Sequence, residues 1–294
     1  TEDYEDHLAF ILEKDGYIVL KNIIPSEIFI HLTSIIDKLV TDGKKLKVTN
    51  DYFEILNDLS SGKPRIERIK SPHKLDNYFL NILKITEIKN TLKLLLGENV
   101  RLQNVKLNLK LGNGGSPVEW HQDWAFYPHT NDDVLAVGIV IDDMTEENGP
   151  VMFVPGSHKG PIHNHMSNGF FCGAVSEDIV NQFVDKAQSM ILPSGSVTFH
   201  HARLLHASKI NNTSKQRRFL LYELMSSDAW PLAGSASVFG SWVDMNDRII
   251  FGKQSVHPRL SNVPVRIPQP LPKKMTSIYQ LQRDGDNKVY SPKS

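Results

Sequence analysis

Residue 100 separates two kinds of sequence in this chain. Upstream, apolar residues recur at helical spacing; downstream, they alternate. From Arg101 to Leu111 the alternation is strict. Leu102, Asn104, Lys106, Asn108 and Lys110 fall on one face of an extended strand, and Gln103, Val105, Leu107, Leu109 and Leu111 on the other. A helical period followed by a period of two points to an α+β chain, with helices collected on one side of an antiparallel sheet.

The helical part is expected over about residues 1–98. Residues 2–15 form an acidic-start amphipathic helix stopped by Gly16, and Tyr17–Leu20 is a short strand. Pro25-Ser26-Glu27 opens a second helix to about Val40, with Pro placed where its missing N–H costs nothing. Residues 41–70 are basic, lack clean periodicity and read as a long loop with short strands; a third helical region covers about 75–96, ended by Gly97. After residue 100, short strands are expected at Val134–Ile141, Val151–Val154, Ser189–Leu192, Ser196–His201, Ala207–Ile210 and Arg218–Met225, with turns between them. Residues 160–188 look loop-rich. Many short strands at regular spacing imply a sandwich or barrel. The expected core, about 99–226, is a double-stranded β-helix (jelly roll). Residues 227–294 wrap the sheet, and the last dozen look disordered. No internal repeat or linker divides two cores, so residues 1–294 are read as one domain.

Lys+Arg and Asp+Glu both number 33, which argues against a nucleic-acid binder. No apolar run approaches the roughly 18 residues that span a bilayer. The single cysteine, Cys172, excludes an intrachain disulfide and suggests a reducing, cytoplasmic compartment, although the chain opens at Thr1 and a leader could have been removed. The expected partner is a small molecule, and the expected state a monomer or weak dimer.

Chemistry concentrates in Glu119-Trp120-His121-Gln122-Asp123. On extended chain, His121 and Asp123 point the same way and can aim at one metal ion. Taken alone the pair is weak, because 12 His and 20 Asp in 294 residues produce about one His-x-Asp by chance. A non-heme iron site needs a second His, and His206 is the best candidate. If the co-substrate is a 2-oxo acid, its far carboxylate needs a buried cation, and Arg217 follows 11 residues later. With Asn211-Asn212 as a hairpin tip, His206 and Arg217 would be cross-strand neighbours; a longer loop would shift that register and keep only the proximity. Ser208 shares the face of His206. His200 and His201 are read as structural and His158 as a turn hydrogen-bonder. Lys106 and Lys110 would ordinarily be a solvated strand face, and the aromatics at 124–127 are as readily core as pocket.

The motifs His121-Gln122-Asp123, Glu147-Asn148-Gly149-Pro150, Val154-Pro155-Gly156-Ser157-His158 and His206-x-Ser208 followed by Arg217 resemble the phytanoyl-CoA dioxygenase family of Fe(II)/2-oxoglutarate oxygenases, over about residues 5–250. The resemblance implies that His121, Asp123 and His206 bind Fe(II), that Arg217 and Ser208 hold 2-oxoglutarate, with Asn108 beside them, and that O2 is the oxidising co-substrate. It implies hydrogen abstraction from an unactivated C–H bond, ending in hydroxylation, desaturation or cyclisation. Relatives in specialised metabolism, including kainoid synthases that cyclise an N-prenylated glutamate, use the latter outcomes. Gly138 departs from the Trp carried by the human phytanoyl-CoA enzymes, which points away from an acyl-CoA substrate. Candidate substrate contacts are Trp124, Phe126 and Tyr127, which follow the metal motif, and the cations Arg68, Lys106, Lys110 and Arg203, which suggest a carboxylated substrate. Competing readings are a non-catalytic metal- or 2-oxoglutarate-binding module and a zinc hydrolase, in which Arg217 and Ser208 would be idle.

Overall fold

A computed structural model describes residues 2–57, 63–115, 117–232, 241–265 and 271–292. The amphipathic helices α1 (Glu2–Asp15) and α2 (Ser26–Gly43) flank the strand β1 (Tyr17–Leu20). The basic stretch that follows is less loop-like than its sequence suggests. β2 (Phe53–Asn57) and β3 (Pro64–Lys70) pair antiparallel, and residues 58–62 lie outside the described residues. The expected third helix is two elements. A 3₁₀ stretch, Asn77–Lys84, is capped by Asp76, whose carboxylate accepts from Tyr78 N at 2.9 Å; extended Ile85 then separates it from α3 (Thr86–Leu96), which ends at Gly97.

Beyond residue 100 come β4 (Val100–Lys110), β5 (Val118–His121), β6 (Val134–Val140) and β7 (Val151–Phe153). The loop-rich region holds the small pair β8 (Met166–Ser167) and β9 (Phe170–Phe171), then a single turn, α4 (Glu177–Val180). The core continues with β10 (Gln188–Ser189), β11 (Val197–His201), β12 (His206–Ser208) and β13 (Arg217–Ser226). The wrapping segment supplies α5 (Trp242–Asp247), β14 (Ile249–Phe251) and α6 (Ile278–Asp284).

These strands form a jelly roll of α+β class. The larger sheet runs β1-β11-β6-β13-β4-β3-β2, with β14 also pairing β4; the smaller runs β10-β7-β12-β5. The alternation in β4 decides which face meets what. Val105, Leu107 and Leu109 join the main apolar core with Leu32 and Ile36 of α2 and Leu92 of α3. Lys106, Asn108 and Lys110 face the interior between the sheets. Burying each such aliphatic side chain contributes about 1.5–3 kcal/mol, so the polar row is held inward by the apolar row behind it.

Two sequence expectations fail here. β12 and β13 are not a hairpin, because they belong to different sheets: His206 lies opposite His121 and Phe153, while Arg217 lies opposite Lys110. Asn211 is no exposed tip. It is buried, its amide donates to Lys110 O (3.2 Å) and Lys215 O (2.7 Å), and its oxygen accepts from Thr213 N at 3.0 Å. That tight turn carries the chain from one sheet to the other. The tail is also ordered as far as Pro292. The carboxylate of buried Glu119 on β5 accepts from the backbone N–H groups of Val289 (2.8 Å), Tyr290 (2.9 Å) and Ser291 (2.6 Å), and Trp120 Nε1 donates to Tyr290 Oη at 3.0 Å. A buried carboxylate in an otherwise apolar setting demands such donors, and the tail provides them.

Candidate active site

β5 stops at His121, and a 3₁₀ turn over Asp123–Ala125 turns the chain back under it. Gln122 faces away, its amide donating to Pro161 O (3.1 Å) and Arg203 O (2.9 Å). His121 and Asp123 therefore share a side, as alternation requires. His206 reaches them from the neighbouring strand. Its Nε2 lies 3.5 Å from Asp123 Oδ1, and His121 Nε2 lies 3.4 Å from the same oxygen. One ligand atom from each residue falls within 4.8 Å of the other two, close enough for one ion to bridge all three. Each imidazole is oriented through its other nitrogen: His121 Nδ1 donates to Glu119 O (2.8 Å) and His206 Nδ1 to Leu204 O (2.9 Å). A carbonyl only accepts, so Nδ1 carries the proton and Nε2 keeps its lone pair for a metal. Burial, with His206 alongside, lowers the His121 pKa to about 4 against the opposing pull of Asp123, so the ring is neutral. Burial alone would raise the Asp123 pKa. Its contacts with His206, His121 and His200 outweigh it and hold the carboxyl well below its usual range.

Behind the triad lies a cavity of about 70 Å³, walled also by Asn108, Lys110, Ser208, Arg217, Phe219 and Tyr279. The buried Arg217 guanidinium donates to Gly149 O (2.8 Å) and Asn148 O (3.3 Å). Its Nη1 is buried without a hydrogen-bond partner, as is Asn108 Oδ1. Burial lowers the Arg217 pKa to about 10, which leaves it cationic at neutral pH. Lys110 donates to Lys209 O at 2.8 Å; burial and the adjacent Arg217 depress its pKa strongly. Phe219 packs over Gly138, where an added Cβ would sit 2.2 Å from Phe219 Cζ. Only glycine leaves that ring its place in the wall.

A wider chamber of about 640 Å³ adjoins this cavity and reaches Asp123. It shares Arg68, Lys106, Asp123, Glu223 and Ile278 with the inner cavity and adds Phe126 and Tyr127. Lys106 is ion-paired with Glu223, and Arg68 lies 3.4 Å from Glu54 and 5.7 Å from the centre of the Tyr279 ring. Trp124 and Arg203 do not line either space. The turn after Asp123 points Trp124 away, so that its Nε1 donates to Pro264 O at 3.0 Å. Arg203 is taken by Asp132 (3.0 Å) and Gly160 O (2.9 Å).

The family model described as Phytanoyl-CoA dioxygenase (PhyH) matches residues 12–219. The chain is also 36% identical, over 86% of its length and 91% of the relative's, to a protein of Stutzerimonas stutzeri named probable alpha-ketoglutarate-dependent hypophosphite dioxygenase. This chain belongs to the phytanoyl-CoA dioxygenase family. As a member of it, the protein is a non-heme iron oxygenase dependent on 2-oxoglutarate. It is 27% identical to L-proline trans-4-hydroxylase of Streptomyces griseoviridis, over 55% of this chain and 68% of that one. The fold is shared with the structure of EctD from S. alaskensis with bound Fe, at a TM-score of 0.68 and 20% identity, covering 86% of this chain and 87% of that one. The donor set fits the family's cofactors: two imidazoles and a carboxylate suit Fe(II), and the unpartnered Arg217 nitrogen suits the far carboxylate of 2-oxoglutarate.

Several lining residues escaped the sequence reading. His200, taken there as structural, places Nε2 3.1 Å from Asp123 Oδ2. The signal was present in β11, because Val197 and Phe199 enter the main core, which turns Thr198 and His200 inward. Glu223 and Phe219 follow by the same alternation along β13 from Arg217. Tyr279 and Ile278 had no such signal, since α6 reaches the site only through tertiary packing.

Proposed function

We propose that this dioxygenase hydroxylates a C–H bond of a small carboxylated metabolite, with His121, Asp123 and His206 as iron ligands and Arg217, Ser208 and Asn108 as contacts to 2-oxoglutarate. The observation that carries this reading is the buried, unpartnered Nη1 of Arg217 in a cavity whose other wall is the His-Asp-His cluster. A module that binds metal alone, or a zinc hydrolase, has no use for such a cation, and succinate release on admission of O2 separates the enzyme from a module that only binds 2-oxoglutarate. When bound, iron and 2-oxoglutarate supply the oxidation: O2 is consumed, 2-oxoglutarate leaves as succinate and CO2, and one oxygen atom enters the substrate. The chain's own residues orient the reactants. The Nδ1–H bonds of His121 and His206 fix the ligand lone pairs, Phe219 closes the wall of the inner cavity, and Lys106 and Arg68 attract a carboxylate into the outer chamber. The contributions come from all three parts of the chain (Arg68, the jelly roll, and Ile278 with Tyr279), which supports one catalytic unit.

A second reading is favoured by the 36% relative named for hypophosphite. A phosphorus oxyanion would use the same cations, with a P–H bond in place of C–H. The test starts with the anaerobic protein, Fe(II) and 2-oxoglutarate. Weak metal-to-ligand absorption should develop in the wild type and be lost, or need far more 2-oxoglutarate, in Arg217→Ala; removing a buried charge partner costs about 2–5 kcal/mol of binding. Admission of O2 with a panel of carboxylated metabolites and hypophosphite should then release succinate with the true substrate class. Mass analysis of the product separates oxygen insertion from loss of two hydrogens. Equal absorption in Arg217→Ala would sink the assignment.

A further inference from the structure

We infer that the substrate is a small zwitterion, its carboxylate held by Lys106 and its cationic amine by Glu223. This rests on the function proposed above and narrows its substrate class. Lys106 and Glu223 line both the inner cavity and the outer chamber, as Asp123 does. Lys106 lies four residues before Lys110 on β4, about 13 Å along the strand, so it serves the opposite end of the site from Arg217. Their contact uses one of three ammonium protons and one of about four carboxylate lone-pair sites, so each retains capacity for a ligand.

Two further observations favour a ligand with both charges. The outer chamber balances four cationic side chains against four carboxylates, among them Glu223 beside the metal position. A simple anion bound at Lys106 would compete with Glu223 for that cation, whereas a ligand that also carries an amine gives Glu223 a second partner. In addition, Tyr127 is 2% exposed, lines the chamber, and its hydroxyl is buried without a hydrogen-bond partner. A hydroxyl placed there can donate to an acceptor on the ligand. Phe126 and Ile278 supply the apolar contact for a short hydrocarbon body.

The experiment uses the anaerobic Fe(II)–2-oxoglutarate complex of the full chain and reads the change in its absorption as a second ligand enters. The probes are the twenty common amino acids, an amine and an acid matched to each one that binds, and hypophosphite. At least one amino acid should perturb the absorption, with its amine-only and acid-only counterparts at least about tenfold weaker, the loss expected for one charged hydrogen bond. Glu223→Gln should erase the advantage over the acid, and Lys106→Met the advantage over the amine. Tyr127→Phe, the variant least prone to misfold, should weaken the amino acid about three- to tenfold while leaving the 2-oxoglutarate absorption in place. Hypophosphite or acid-only probes binding as tightly as any amino acid would overturn the inference, as would no response to any amino acid while the absorption is intact. Absence of the absorption itself would instead overturn the proposed function.

Discussion

At the residue scale, the site depends on how few side chains have freedom left. His200 holds the second oxygen of Asp123 at 3.1 Å, which leaves Oδ1 for the metal position. His200→Leu should weaken Fe(II) or Co(II) binding about 10–100-fold, the usual cost of losing a hydrogen-bonding partner of a metal ligand. His206→Ala should abolish it; anaerobic metal titration reads both. Gly138 offers a different test. An added methyl would overlap the Phe219 ring, so Gly138→Ala should destabilise the fold by about 1–3 kcal/mol and raise the 2-oxoglutarate concentration needed for half-maximal absorption. Stability at wild-type level with unchanged co-substrate binding would mean that Phe219 moves freely. His121 and Asp123 could be read from sequence because their shared direction depends only on i, i+2 geometry. Trp124 could not, because a single turn after Asp123 reverses the direction that adjacency suggests.

At the element scale, what the sequence hid was which strand lies beside which. The pattern around Asn211-Asn212 fits a hairpin tip, yet it serves a crossing between sheets, and local turn chemistry does not distinguish the two. His206 and Arg217 still line one cavity, from different sheets and not as strand neighbours. The alternation of β4 was legible and separated the two rows, but the polar row, read as an ordinary solvated face at Lys106 and Lys110, turns inward because the second sheet covers it; the alternation of β13 was not read. The tail was not legible, because the reason for its order is Glu119, 170 residues earlier than Val289. Glu119→Gln keeps the shape but removes the charge that three N–H groups address. It should cost about 1.5–3 kcal/mol in urea unfolding and speed proteolytic cleavage within 285–292. Unaltered protease resistance would show that α6 and its neighbours hold the tail without Glu119.

At the scale of the whole molecule, the buried histidines set the response to acid. Burial holds His129 and His165 neutral, lowering each pKa from 6.5 to about 3. Between those values the unfolded chain binds protons that the folded chain refuses, so stability rises with pH there and falls on acidification. At pH 5 these two groups alone imply a slope of about 2–3 kcal/mol per pH unit. Urea denaturation of the metal-free protein between pH 7 and pH 4 should show it, and a flat profile would mean that water reaches these rings. Among the described residues, no helix is long and apolar enough to cross a membrane. The contact between Glu119 and the backbone of 289–291 also has a consequence in time. A ribosome adding about 5–20 residues per second needs on the order of 10–30 s to travel from Glu119 to its donors. For that interval Glu119 lacks all three of its donors, so β5 can be buried in its final form only after the tail has been made.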